Sequence, residues 1–368
     1  MGGKALRAAA GFLGRLLGPR QRDAIGYLSD PDRREEDWTP GEIGAEFARQ
    51  VGLGFPVGLR LIGDYSWAIR ALDAAGAPPR PVAVQADTGP LGSFKGPFRP
   101  DPDLLRLACS GKIRLFFHLP HLFDLWLPFD ESQIRWRGEL VKVPLVRACV
   151  EYLNDFAALV PEGLDADIGF VLHANYPRWP GSPGKDGGPY APAGKSADDE
   201  ARELRLRFRN NLAWLFDPFI GGLSRRGVRG RVLLENMAGS GGRPEQMSTF
   251  EKCRELARGL DRSRYGLCWD LLHSWAAGEA LSPADFDPSE VGLIHMNGGP
   301  ACAAFGSGRD LHGYAELRAA AGRRSAYPWI ADAALAEAPA VFERELYSIM
   351  LKDSAWLAQM RGIGDPAR

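Results

Sequence analysis

Eight short apolar runs of β-forming composition recur along the chain, with helix-like stretches between them. They are Pro56–Leu61, Pro81–Gln85, Ile113–His118, Ile168–His173, Val232–Glu235, Gly266–Asp270, Gly292–His295 and Pro328–Asp332. The runs are continuously apolar rather than alternating, which suits strands covered on both faces of a parallel sheet. Helical spacing and composition fill the intervals Ser66–Ala75, Pro102–Cys109, Ser132–Leu159, Asp198–Leu215, Thr249–Leu260, Tyr314–Ala321 and Ala333–Gln359. Eight βα repeats predict a (β/α)8 TIM barrel, and 368 residues suit one such barrel with additions. The additions are an N-terminal helical extension over residues 1–50 and a long loop after the fourth strand; the barrel domain takes residues 51–368.

Composition narrows the class. Hydrophobic residues are 45% and charged residues 25% of the chain, which excludes a disordered, collagen-like or simple coiled-coil protein. No apolar run reaches the roughly 18 residues of a membrane span. Lys plus Arg number 45 against 46 Asp plus Glu, a formal charge of −1, so any nucleic-acid site must be a local patch. Five scattered cysteines without a CxxC argue against a disulfide framework and fit a reducing compartment.

Residues Met1–Arg22 carry Lys4, Arg7, Arg15, Arg20 and Arg22, no acid, and an apolar helical face. The segment has the character of an organelle transit peptide or of a helix packed at the periphery, and the packed helix is the favoured reading. No secretory signal is evident, so an intracellular site, cytoplasm or nucleus, is expected.

In a barrel of this kind chemistry belongs at the C-terminal ends of the strands. Six of the eight runs end there in His118, His173, Glu235, Asp270, His295 and Asp332; His273, Asp310 and His312 follow just beyond. Five of the six histidines therefore fall on one rim. Uncompensated, such a crowd of imidazoles and carboxylates would repel and would cost several kcal/mol per group to desolvate. Divalent cations resolve the conflict, and imidazole with carboxylate but no thiolate favours Zn, Mn or Fe. Nine candidate ligands would serve two or three ions, an arrangement suited to phosphodiester hydrolysis. Spacing supports this. Asp270-Leu-Leu-His273 sets two ligands about one helical turn apart, and Asp310-Leu-His312 sets two on one side of an extended loop.

Several segments together resemble the endonuclease IV family of abasic-site endonucleases, within the xylose-isomerase-like barrels. Leu234–Gly239 (LENMAG) is similar to that family's LENTAG, and Gly266–Gly278 (GLCWDLLHSWAAG) to its GVCIDTCHAFAAG. His118-Leu-Pro-His121-Leu-Phe-Asp124-Leu resembles HxPYLINL, Ile294–Asn297 resembles IHLN, Gly306–His312 (GSGRDLH) resembles GSRVDRH, and Pro328–Asp332 stands where the family has PLILE. The likeness runs from about Pro56 to about Leu335.

The resemblance implies a monomeric endonuclease of base excision repair with three zinc ions. His118, His173 and Glu235 would hold the first ion, with Glu235 bridging to the second. Asp270, His295 and Asp332 would complete the second, and His273, Asp310 and His312 would hold the third. Glu235 and Asp332 would be the catalytic carboxylates, and a zinc-activated hydroxide would cut the phosphodiester 5′ to an abasic site in double-stranded DNA.

Departures fall on the DNA-facing rim. Asp332 replaces a glutamate, His173-Ala-Asn-Tyr-Pro replaces HPGS, Asn297-Gly-Gly-Pro300 replaces NDSK, Leu311 replaces an arginine, and His121 replaces a tyrosine. Leu122 has the character of a wedge into a base stack or of ordinary core. The Pro- and Gly-rich loop Tyr176–Gly194 carries Tyr176, Arg178, Trp179, Lys185 and Tyr190, rings and cations suited to bases and phosphates, and Arg309 adds a rim cation. The basic group Arg225, Arg226, Arg229 and Arg231 precedes a strand at the far end of the barrel and reads as a solvated face. The competing reading is a sugar isomerase or epimerase with one or two divalent metals. A non-catalytic DNA-binding relative would show eroded ligands and ranks last.

Overall fold

The structure, a computed structural model, describes residues 38–88, 100–120, 125, 135–136, 139–140, 144–173, 197–236, 249–276, 279, 285–296, 337–343 and 346–363. Eight parallel strands close a barrel: β1 (Gly58–Leu61), β2 (Val82–Asp87), β3 (Ile113–His118), β4 (Ala166–His173), β5 (Val228–Glu235), β6 (Tyr265–Asp270), β7 (Val291–Met296) and β8 (Ala340–Phe342). Each strand pairs with its sequence neighbours, and β8 returns to β1. The described helices are α1 (Pro40–Gly52), α2 (Ser66–Ala74), α3 (Pro102–Cys109), α4 (Pro144–Leu159), α5 (Ala197–Arg225), α6 (Phe250–Ala257), α7 (Leu271–Ala276) and α8 (Tyr347–Met360). The expected TIM barrel is thus the observed fold. Among the described residues, no helix is long and apolar enough to cross a membrane.

Two cores hold the barrel. The larger lies between strands and helices and contains Phe117, Phe156, Phe170, Phe219, Phe250 and Trp269. Phe250 stacks on Trp269 at 4.3 Å between ring centroids. The smaller core fills the barrel itself with Ala83, Phe116, Val171, Leu233, Cys268, Leu293 and Val341. Two residues further along these same strands come Gln85, His118, His173, Glu235, Asp270, His295 and Glu343. Residues two apart on a strand share a face, so a polar tier stands directly on an apolar one.

Helix ends are set locally. Thr39 and Glu42 form a reciprocal capping box that starts α1, and Asp101 and Thr249 cap α3 and α6. Helix α1 runs through position 50, buries Phe47 and Val51, and donates from Gln50 Nε2 to the Leu351 carbonyl of α8 at 2.8 Å.

Three sequence expectations are corrected. The eighth strand is Ala340–Phe342, and Pro328–Asp332 lies outside the described residues. Among the described residues of the stretch expected as a helix over Ala333–Gln359, the helix is Tyr347–Met360, and a strand lies before it. The helix expected over Ser132–Leu159 begins at Pro144, with a short antiparallel pair, Arg135–Trp136 against Glu139–Leu140, preceding it. A strand of three residues buried on both faces shows no alternation, and alanines around it give the segment helical composition. Arg229 and Arg231 sit within β5, on the face that carries Leu233 and Glu235.

Candidate metal centre

Strand register brings the rim residues together. Neighbouring strands are about 4.8 Å apart, and the pairs His173↔Glu235 and Asp270↔His295 are direct register partners. Glu343 follows β8, where its backbone N–H donates to the Met296 carbonyl at 3.0 Å. Three ligand sets result, each with donor atoms within 4.8 Å of one another: His118, His173 and Glu235; Glu235, Asp270, His295 and the half-buried Glu343; and Glu235, Cys268 and His295. Glu235 belongs to all three.

The first set is a tight triangle. Glu235 Oε2 lies 2.9 Å from His173 Nε2 and 3.4 Å from His118 Nε2, and the two imidazole nitrogens are 2.9 Å apart. His118 Nδ1 is 3.1 Å from the Leu119 carbonyl, which can only accept. In the neutral ring Nδ1 therefore carries the hydrogen and Nε2 presents its lone pair to the triangle.

In the second set His295 Nδ1 lies 3.2 Å from Glu235 Oε1 and 3.5 Å from Glu343 Oε1. The orientation comes from Gln85, fully buried in β2. His295 Nε2 donates to Gln85 Oε1 at 2.7 Å, and Gln85 Nε2 donates to Glu343 Oε1 at 3.0 Å. His295 Nδ1 is thereby left with a lone pair facing two carboxylates.

These contacts suit a cation. Glu235 Oε2 and His295 Nδ1 are buried and make no hydrogen bond among the described residues, although ligand atoms crowd them. Burial acts to raise the Glu235 pKa, but His173 and His295 hold the carboxyl well below its usual range. For His118 burial acts downward and is outweighed by Glu235, whereas burial and the adjacent His118 push His173 down. The pair cannot both be charged. Burial lifts Asp270 to about 6. Lone pairs and carboxylates converging in a buried space, with second partners fixing the tautomers, is the donor set a divalent cation requires. The residues fit the metal that the sequence anticipates.

His273 stands one helical turn beyond Asp270, and its backbone N–H donates to Asp270 Oδ1 at 2.7 Å. Its Nδ1 donates to the Asn236 carbonyl at 2.7 Å, leaving Nε2 as the available donor atom. Asn236 locks the two strand ends together. Its Oδ1 accepts from the Asp270 N–H at 2.8 Å and its Nδ2 donates to the Asp270 carbonyl at 2.9 Å. Ser274 receives the Trp269 indole N–H at 2.9 Å and donates to Glu279, whose carboxylate accepts the first N–H groups of α6. Much of the two quoted motifs is therefore scaffold for Glu235, Asp270 and His273.

Of the sequence-derived ligands, His118, His173, Glu235, Asp270 and His295 converge, with His273 adjacent. Asp310, His312 and Asp332 lie outside the described residues, as do His121, Leu122, Tyr176, Arg178, Trp179, Lys185 and Arg309. The place after the eighth strand, assigned from sequence to Asp332, is held by Glu343, because Ala340–Phe342 is the strand that closes the barrel. The signal for it was present: an apolar triplet ending in an acid, Ala340-Val341-Phe342-Glu343. Gln85 was also missed, since a glutamine inside an apolar run carries no ligand signature.

Residues 166–328 match the family described as Xylose isomerase-like TIM barrel. That span holds His173, Glu235, Asp270, His273 and His295 and stops before β8. No curated protein sequence matches the chain. Solved structures with a similar fold include a D-tagatose 3-epimerase-like protein (14% identity, 83% of this chain and 97% of that one, TM-score 0.42). Another is 3-keto-D-glucoside 4-epimerase, YcjR, from E. coli (12% identity, 83% and 99%, TM-score 0.41). A third is AsfvAP:AG (16% identity, 89% and 94%, TM-score 0.43).

Proposed function

We propose that the chain is a metal-dependent endonuclease that hydrolyses the phosphodiester 5′ to abasic sites in double-stranded DNA. The observation that carries this reading is that Glu235 belongs both to the set with His118 and His173 and to the set with Asp270, His295 and Glu343. His118, His173 and Glu235 would hold one ion, and Glu235, Asp270, His295 and Glu343 a second. His273 would join Asp310 and His312 at a third, by the resemblance to endonuclease IV. Zinc suits the set best, with Mn or Fe as other occupants. Divalent cations held there would acidify water and neutralise charge on a phosphate diester.

The chain's own residues supply the frame. Glu235 fixes the spacing of the two sets. The Leu119 carbonyl and Gln85 orient His118 and His295. The apolar tier of Phe116, Val171, Leu233 and Leu293 excludes water from below.

A second reading has one observation in its favour. The set Glu235, Asp270, His295 and Glu343 is complete without His118 and His173, and one ion there would suit a sugar isomerase or epimerase. Metal analysis of the native protein, paired with nicking of a duplex holding one abasic site, separates the two. More than one ion per chain with nicking is expected, and Glu235→Gln should abolish nicking while the fold persists. A single ion, no nicking and turnover of a ketose would establish the sugar enzyme instead.

A further inference from the structure

The end of the barrel opposite the metal centre holds a cavity of about 120 Å³ lined by Arg231, Arg254, Arg258, Arg262, Tyr265 and Glu290 among others. Arg231 lies on the face of β5 that carries Glu235, four residues and about 13 Å away from it. Its guanidinium lies over Gly266 of β6: a Cβ there would come within 2.6 Å of Nη2. Gly266 thus leaves out a side chain where this cation sits.

The cavity holds more positive charge than its carboxylates balance. Glu290 uses both oxygens, Oε2 to Arg254 Nε at 3.1 Å and Oε1 to Arg262 Nη2 at 2.7 Å. Arg254 also pairs with Glu251, and Arg262 with Asp287. Arg231 pairs with no carboxylate among the described residues. Its hydrogen bonds, from Nε and Nη2 to the Tyr265 carbonyl, are both 3.4 Å long. Arg258, at the end of α6, also forms no ion pair with the described residues. Burial, then Arg262, pushes the Arg231 pKa down, so its charged form lacks compensation. A part-buried guanidinium without a counter-charge is costly unless an anion supplies one.

We propose that this cavity is a binding site for a phosphate group, held chiefly by Arg231 and Arg258. Several guanidinium forks around one small space match a tetrahedral dianion, which offers more acceptors and more charge than a carboxylate. The site lies outside the metal centre and does not depend on the reading given to that centre.

The test is titration of the native protein with inorganic phosphate in chloride buffer, read by calorimetry and by Tm, beside Arg231→Gln, Arg258→Gln and Glu235→Gln. Saturable binding is expected, weakened about tenfold or more in each arginine variant and unchanged in Glu235→Gln. Glycerol 3-phosphate in place of phosphate separates two sources. Equal or tighter binding assigns the site to the phosphate end of a larger molecule, and weaker binding assigns it to the free ion. Arg258 is exposed, so its variant tests the proposal even if Arg231→Gln fails to fold. No saturable response in the native protein would overturn the proposal. Binding retained in Arg258→Gln but lost in Glu235→Gln would also overturn it, by placing the ion at the metal centre.

Discussion

Gln85 shows how much a centre of this kind depends on a residue that holds no metal. It receives the His295 Nε2–H and donates to Glu343, so one buried amide sets a tautomer and a carboxylate orientation together. Partners of this type are worth roughly 10–100-fold in metal affinity. Gln85→Leu is therefore expected to lower metal affinity by about that factor with secondary structure intact, as a chelator competition would measure. Affinity equal to native would show that Glu235 and Glu343 position His295 unaided. Glu343→Gln and Asp332→Asn form a sharper pair. Removing the Glu343 charge should lower metal content, whereas Asp332→Asn should leave it at the native level; the reverse result would return the ligand role to Asp332. The histidine and Glu235 positions are legible in the sequence because strand ends announce themselves. Gln85 is not, because a polar residue within an apolar run gains its meaning only from strands distant in sequence.

Among the elements, the seam between β1 and β8 is the weakest closure of the barrel. One register pair, Leu59↔Phe342, joins them, whereas β4 and β5 share eight. Gly58 permits that seam: a Cβ on it would meet the Ala340 carbonyl oxygen at 1.8 Å, and backbone cannot yield as a side-chain tip can. Gly58→Ala should cost about 3 kcal/mol or more and lower the denaturant midpoint. A midpoint within error of native would mean that β1 shifts freely at this seam. Seven strands were found from sequence close to their observed positions, because each is a continuous apolar run with a clear end. The eighth was displaced because Pro328–Asp332 imitates a strand and Ala340–Phe342, short and alanine-flanked, does not.

For the molecule as a whole, a metal ion and the proton would compete for the same atoms. The ligands must be deprotonated to bind. His118 is raised above its ordinary value, after Glu235 outweighs burial, and burial lifts Asp270 to about 6. Both groups therefore take up protons as pH falls through neutrality toward about 6, and metal retention should fall with them. Metal content of protein dialysed across that range, with Tm alongside, checks the sign. Retention that holds unchanged well below pH 6 would show that these groups do not ligate. Chelator at neutral pH should lower Tm, because ions bound only to the folded state stabilise it. The order of the strands has a further consequence for biosynthesis. A ribosome releases β8 and Glu343 after every other ligand in the described barrel, and the same short segment supplies both the closing strand and the last donor. Until that segment emerges, the nascent chain has an open sheet edge and an incomplete second site. Capture of an ion at the second set would therefore wait for β8, and a chain stopped before residue 340 would lack the means to retain it.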